Sequence, residues 1–213
     1  MASCPCRRMS RQKKDKNGSD RQGSIMFRKF AIAFAALAAM ATSAEAINLG
    51  AARTAKPQAS RTVAAPVGYQ SFCYKFAREC RGGGASVISY NRKTASILKS
   101  VNDAVNRSTK YRADKGELWR IAASTGDCED YALAKRSRLI RAGISAGALR
   151  MATARTAKGE SHAVLIVKTD KGDFVLDNIR HTIVKRQASG YRYLTIATPD
   201  PAVWQRANAG QEI

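Results

Sequence analysis

The chain has 213 residues, with 37 Lys and Arg against 16 Asp and Glu, a formal net charge of +21. Such a balance raises nucleic acid or an anionic surface as partners. The basic residues are scattered rather than clustered, however, and no aromatic-basic signature of an RNA-recognition strand accompanies them. That pattern points to a solvated basic surface and away from nucleic acid.

The N-terminal part reads as an address label. Phe27-Arg28-Lys29-Phe30 supplies positive charge, Ala31 to Ala41 is an eleven-residue apolar run, Ala44-Glu45-Ala46 is a small-x-small cleavage site, and Met26 stands where a signal peptide should begin. The run is far shorter than the roughly 20 apolar residues that cross a bilayer. Residues 26–46 are therefore expected to be a signal peptide, with no stable membrane span after cleavage and a periplasmic destination. Residues 1–25 read as an extension upstream of the true start, or as an unusually long charged leader. Cleavage after Ala46 leaves 167 residues, enough for one domain with one core. The first 46 residues carry nine Lys and Arg against three Asp and Glu, so a charge of +15 stays with the mature part. Residues 47–66 lack apolar periodicity and read as a flexible lead-in, which places the domain at 67–213.

Cys4 and Cys6 leave with the leader, so the exported part keeps Cys73, Cys80 and Cys128. In an oxidising compartment two of the three are expected to pair. Cys73 and Cys80 enclose six residues, a loop that closes easily if the backbone curls, and Cys128 is then the free thiol. Three reduced thiols are the alternative, because spacing alone does not prove a pairing.

From Asn91 to Asn106, apolar residues at Ile97, Leu98, Val101, Ala104 and Val105 form the stripe of an amphipathic helix. After Leu118-Trp119, Ser124-Thr125-Gly126 reads as a breaker. Asp127 reads as the N-cap of a second helix, Asp130 as a carboxylate in its first turn, and Gly143 as its stop. Beyond it come strands at Leu149–Ala154, His162–Thr169, Phe174–Asp177 and Tyr191–Ile196, with the middle two joined as an antiparallel hairpin through Asp170-Lys171-Gly172-Asp173. Helices followed by a meander make an α+β fold, with N-terminal helices packed on an antiparallel β-sheet.

Cys128 falls in the first turn of the second helix, where unpaired N–H groups and the helix dipole favour thiolate over thiol. Asp127 and Glu129 push the other way, and a neighbouring imidazole would outweigh them. His162 and His181 are the two candidates. Strand parity puts His162 and Asp177 on one face, and register decides whether they touch. A turn at Lys171-Gly172 would leave Asp177 ~13 Å from His162 along the strand, whereas a four-residue loop over 168–171 would set the two opposite each other. Taken singly, each has a bland alternative: Cys128 as an inert core residue, His162 as a core histidine, Asp177 as the start of a turn. Trp119, Trp204 and the Tyr191/Tyr193 pair read as core or rim packing.

Gly126-Asp127-Cys128-Glu129-Asp130-Tyr131-Ala132, then Ser161-His162-Ala163-Val164-Leu165, then Val175-Leu176-Asp177-Asn178, in that order, resemble the bacterial transglutaminase-like cysteine peptidases. The resemblance covers roughly Val67 to Trp204. It implies a papain-like or transglutaminase-like core and a thiol hydrolase that cleaves a peptide or amide bond through an acyl-thioenzyme. Cys128 would be the nucleophile, His162 the base and Asp177 the orienting acid. It also implies a protein or peptide substrate in the periplasm or cell envelope. Characterised relatives bind calcium through acidic residues that match Asp127 and Glu129, although the chemistry itself requires no cofactor. Plain capping by Asp127 and Asp130 is the alternative for those carboxylates. Two other functions stay open: transglutaminase-like acyl transfer to an amine, and a non-catalytic binding module that uses the basic surface.

Overall fold

The computed structural model describes residues 62–207. The signal segment 26–46, the extension 1–25 and most of the 47–66 lead-in lie outside the described residues. The α+β expectation holds: three α-helices and a seven-stranded antiparallel sheet are present among the described residues.

Strand β1 (Thr62–Val63) pairs with the last strand, so the sheet starts a few residues upstream of Val67. Helix α1 (Val67–Lys75) and the 3₁₀ turn Ala77–Cys80 carry Cys73 and Cys80, which form a disulfide with Cα atoms 5.5 Å apart. Helix α2 (Arg92–Ser108) begins where the sequence places it. Asn91 accepts from the Thr94 backbone N–H at 3.0 Å and caps it. The expected breaker at Ser124–Gly126 is instead partly strand: β2 (Lys110–Tyr111) and β3 (Thr125–Gly126) form a short parallel ladder. Bonds from Lys110 N–H to Ser124 O (2.8 Å) and from Arg112 N–H to Gly126 O (2.9 Å) hold it, and it delivers the chain to the next helix.

Helix α3 (Cys128–Arg141) is the central element. Gly143 stops it at φ 86°, with its N–H on Ile140 O and the Ile144 N–H on Leu139 O, the paired bonds of a Schellman ending. Ala132, Leu133 and Leu139 pack against Leu149, Met151, Leu165, Val167 and Leu176 of the sheet. Two long cations of α3, Lys135 and Arg136, are also fully buried. The Arg136 guanidinium donates to the carbonyls of Glu79 and Arg81 and so ties the disulfide-closed segment to the helix.

The strands β4 (Leu149–Arg155), β5 (Ser161–Thr169), β6 (Gly172–Leu176), β7 (Val184–Lys185), β8 (Arg192–Ala197) and β9 (Trp204–Arg206) complete a sheet ordered β1-β9-β8-β4-β5-β6-β7. Side-chain alternation splits it: Leu149, Met151, Leu165 and Val167 face α3, while Ala152, Val164 and Ile166 form a second cluster on the other face. The β5–β6 register matches neither option weighed from sequence. Thr169 pairs with Gly172, so Asp170-Lys171 is a two-residue turn. Local chemistry fixes it there. The Thr169 hydroxyl donates to Gly172 O (2.7 Å) and accepts from Lys171 N–H (3.2 Å), while Asp170 accepts the Tyr90 N–H at 2.8 Å.

Gly68 shows which force wins at the α1 contact. Alanine is favoured over glycine inside a helix by about 1 kcal/mol. A Cβ at Gly68, however, would lie 2.3 Å from Trp119 Cδ1 and 2.5 Å from the Glu117 carbonyl oxygen. Backbone cannot yield cheaply, and Trp119 is wedged edge-on against Tyr69, their ring centroids 5.3 Å apart. Gly68→Ala should therefore destabilise the fold, by about 1–3 kcal/mol. Urea unfolding checks it, and a higher midpoint in the variant would show that helix propensity dominates.

Candidate active site

Cys128 is the first residue of α3, a thiol outside the disulfide that is 3% exposed. Its Sγ donates to Glu129 Oε2 at 3.1 Å, and it packs against Ala163 of β5. The adjacent strand residue, His162, is equally buried and lies within hydrogen-bonding reach of the thiol. His162 Nε2 meets Asp177 Oδ1 at 2.9 Å, so Nδ1 is the ring nitrogen left for the sulfur. The three residues singled out from sequence are thus brought together. His181, the other candidate imidazole, is exposed, and its backbone carbonyl accepts from Asn102 Nδ2 at 2.9 Å.

The hairpin register explains how His162 and Asp177 meet without the longer loop. Leu165 pairs with Leu176, so Asp177, the first residue past β6, comes level with Val164. His162 is its diagonal neighbour on the same face, a spacing of roughly 7–8 Å that long side chains bridge.

Asp177 is held on every side. Oδ1 also accepts the Ile179 N–H at 3.0 Å, Oδ2 accepts a short hydrogen bond from the Tyr191 hydroxyl, and Asn106 Nδ2 donates to the Asp177 carbonyl at 2.8 Å. Burial pushes the carboxyl pKa up, but the bonds from His162, Tyr191 and Ile179 outweigh it and hold the group below the usual range. Burial likewise opposes charge on His162. Hydrogen bonds to Asp177 and Cys128, with their negative charges, outweigh that and raise the imidazole to about 10.

Tyr191 was expected to be packing. Its ring does pack, edge-on to His162 with centroids 5.2 Å apart, but its hydroxyl also serves Asp177. Burial, followed by the Asp177 charge, drives this phenol above its ordinary range, so it stays a donor. Lys135, two helical turns below Cys128, was missed as well. It is fully buried with no hydrogen-bond partner for Nζ among the described residues. Burial pushes it down to about 7 against the charges of Asp177 and Asp103. Nothing in the sequence marks either role: a tyrosine before a strand and a lysine in a charged helix are commonplace.

The acidic residues around the thiol depart from the capping expectation. Asp127 occupies the N-cap position, yet its side chain makes no capping hydrogen bond, and Oδ1 is buried without a partner. Asp127 and Glu129 instead crowd their negative charge beside the sulfur, with Glu129 accepting from it. Burial first, then neighbouring negative charge, pushes both to about 8. Asp130 faces away from the cap too, accepting the Arg120 N–H at 2.8 Å and so fixing the Trp119 segment onto α3. Among the described residues no group of three or more His, Cys, Asp or Glu assembles into a metal site.

A model of the bacterial transglutaminase-like cysteine proteinase family matches residues 59–212. Among solved structures, EGTA-treated LapG of Legionella pneumophila is similar at 21% identity and a TM-score of 0.48, covering 55% of this chain and 69% of that one. Calcium-bound LapG of the same organism is similar at 20% identity and a TM-score of 0.48, covering 56% and 75%. No curated protein sequence matches.

Tyr191→Phe keeps the ring against His162 and removes only the donor to Asp177. A depressed carboxyl pKa contributes stability above its unfolded value near 3.9, lost as pH falls through the folded value. The substitution relaxes that depression. Urea unfolding should show a deficit of about 1.5–3 kcal/mol at neutral pH, the range for a bond to a charged group, shrinking as the pH drops below about 4. A deficit that does not change with pH would mean that the bond does not favour the ionised carboxyl.

Proposed function

This chain belongs to the bacterial transglutaminase-like cysteine proteinase family, whose model spans residues 59–212, and from that premise we propose that it hydrolyses a peptide or amide bond with a Cys128-His162-Asp177 triad. The observation that carries this reading is the buried run from the Cys128 sulfur, which lies outside the disulfide, to His162, whose Nε2 meets Asp177 Oδ1 at 2.9 Å. Cys128 Sγ attacks the carbonyl carbon, and His162 takes the thiol proton through Nδ1 and returns it to the leaving amine. Asp177, fixed by Tyr191 and Ile179, keeps the Nε2–H tautomer and stabilises the imidazolium. Water then resolves the acyl-thioenzyme, with His162 as its base. The Cys128 backbone N–H at the mouth of α3 is the natural oxyanion donor.

A disulfide forms and persists in an oxidising compartment. The Cys73–Cys80 bridge fits the periplasmic destination read from residues 26–46. No helix among the described residues is long and apolar enough to cross a membrane.

Calcium is proposed at Asp127 and Glu129. The donor set fits the ion: these are hard oxygens whose negative charges crowd one another, one of them is unpartnered, and Asp127 is not used as a cap. Two side chains do not fill the six to eight oxygen sites that calcium takes, so carbonyls or water would supply the rest. When bound, the cation would supply positive charge beside Cys128 and offset the negative potential that opposes a thiolate.

Iodoacetamide should label Cys128 rapidly at neutral pH, and His162→Gln should slow both labelling and hydrolysis of a peptide substrate, the latter by about 10²- to 10⁴-fold. Since the leaving amine must receive a proton from His162, kcat/KM should fall as the pH rises through about 10. Equal labelling of the wild type and His162→Gln would remove the triad. Separately, EGTA should lower the melting temperature and added calcium should restore it, with Asp127→Asn indifferent to both. A wild type unmoved by chelation would dispose of the calcium assignment alone.

A further inference from the structure

On the sheet face turned away from α3 there is a cavity of about 520 Å³, whose wall includes Ser86, Arg150, Lys168, Asp173, Arg186 and Thr198. It is not the candidate active site. Lys168 stands six positions along β5 from His162, about 20 Å at the rise of an extended strand.

The charges in this wall do not balance. Lys168 and Asp173 face each other across the β5–β6 ladder and form an ion pair at 2.7 Å, and Arg186 Nε approaches the second Asp173 oxygen at 3.2 Å. Both oxygens of that carboxylate are therefore engaged. Asp170, also in the wall, is turned to the Tyr90 N–H (2.8 Å) and the Ser89 hydroxyl (3.2 Å). Arg150 is left over. It is 6% exposed and forms no ion pair with a described residue. Nη2 makes only a long 3.5 Å contact with Ser86 O, and Nη1 is shielded from solvent without a partner.

An unmatched buried guanidinium is costly, and its planar fork is the group that takes a carboxylate or phosphate through two parallel bonds. Burial lowers the Arg150 pKa to about 10 against the charge of Asp173, so the group still carries its proton at neutral pH. The cavity volume lies within the range of small-ligand pockets, more than a bare ion fills. We propose that this cavity is an oxyanion-binding site in which Arg150, seconded by Lys168, receives a carboxylate or phosphate group. The same chemistry could arrive on a free small anion or on an acidic side chain of a bound protein. The site stands apart from the triad, because the Lys168, Asp173 and Arg186 charge cluster lies at the far end of β5 from His162.

The test is an NMR titration of the full chain at constant ionic strength with three probes: inorganic phosphate, succinate and a glutamate-rich hexapeptide. Saturable shifts should appear at the amides of Ser86, Arg150 and Lys168. Arg150→Met should weaken the midpoint at least about tenfold, or about 1.4 kcal/mol, with Cys128 labelling unchanged. Saturation by phosphate or succinate alone identifies a small-anion site, and competition by the hexapeptide identifies an acidic segment. Shifts that are linear, spread over the basic surface, or the same in Arg150→Met overturn the proposal. If Arg150→Met does not give a folded spectrum, Lys168→Met decides instead, and an unaltered midpoint in that variant overturns the proposal equally.

Discussion

The arrangement around Cys128 depends on one buried carboxylate. Asp177 is almost completely removed from water, where an ionised carboxyl is stable only if donors converge on it. Three do: the imidazole of His162, the hydroxyl of Tyr191 and the backbone N–H of Ile179. Those donors come from β5, from the lead into β8 and from the turn after β6, while α2 reaches the same spot through Asn106. Separate parts of the chain are thereby drawn to one anion, and the ring orientation of His162 follows from it.

The fold was legible wherever periodicity or a terminal signal carried it. The α2 stripe, the Asn91 start and the Gly143 stop all appear where the sequence implies them, because local backbone chemistry decides each. The short strands β1, β7 and β9 left no such trace, since they exist only through pairing with their neighbours in the sheet. Register was legible only as alternatives. Parity placed His162 and Asp177 on one face, but the Thr169 and Asp170 side-chain bonds that select the turn cannot be counted from spacing. At the candidate site the three chemically distinctive residues were legible and their supports were not. Tyr191 gives no signal for its bond to Asp177, and Asp127 sits in an N-cap slot without capping.

The charged positions of α3 show why ordinary polarity rules misread this helix. Glu129, Asp130, Lys135 and Arg136 would suggest a solvated face, yet Asp130, Lys135 and Arg136 are buried. Two have a positional reason: Asp130 grips the Arg120 backbone and Arg136 grips two carbonyls, whereas Lys135 is pulled down to about 7 by burial against the charges of Asp177 and Asp103. These broken local rules cluster around the candidate site, while the rest of the fold obeys them.

The brace between Arg136 and the Glu79 and Arg81 carbonyls carries a practical consequence. Those carbonyls lie at the end of the segment closed by Cys73 and Cys80, both half-buried and within reach of small reagents. Dithiol reductants, added to keep a thiol from oxidising, attack cystines as well. Here the same additive that preserves Cys128 would open the ring that presents acceptors to a guanidinium in the middle of its own helix. Buffer choice therefore acts on α3 at two places at once, protecting the sulfur at its start while loosening the anchorage of the helix that carries it.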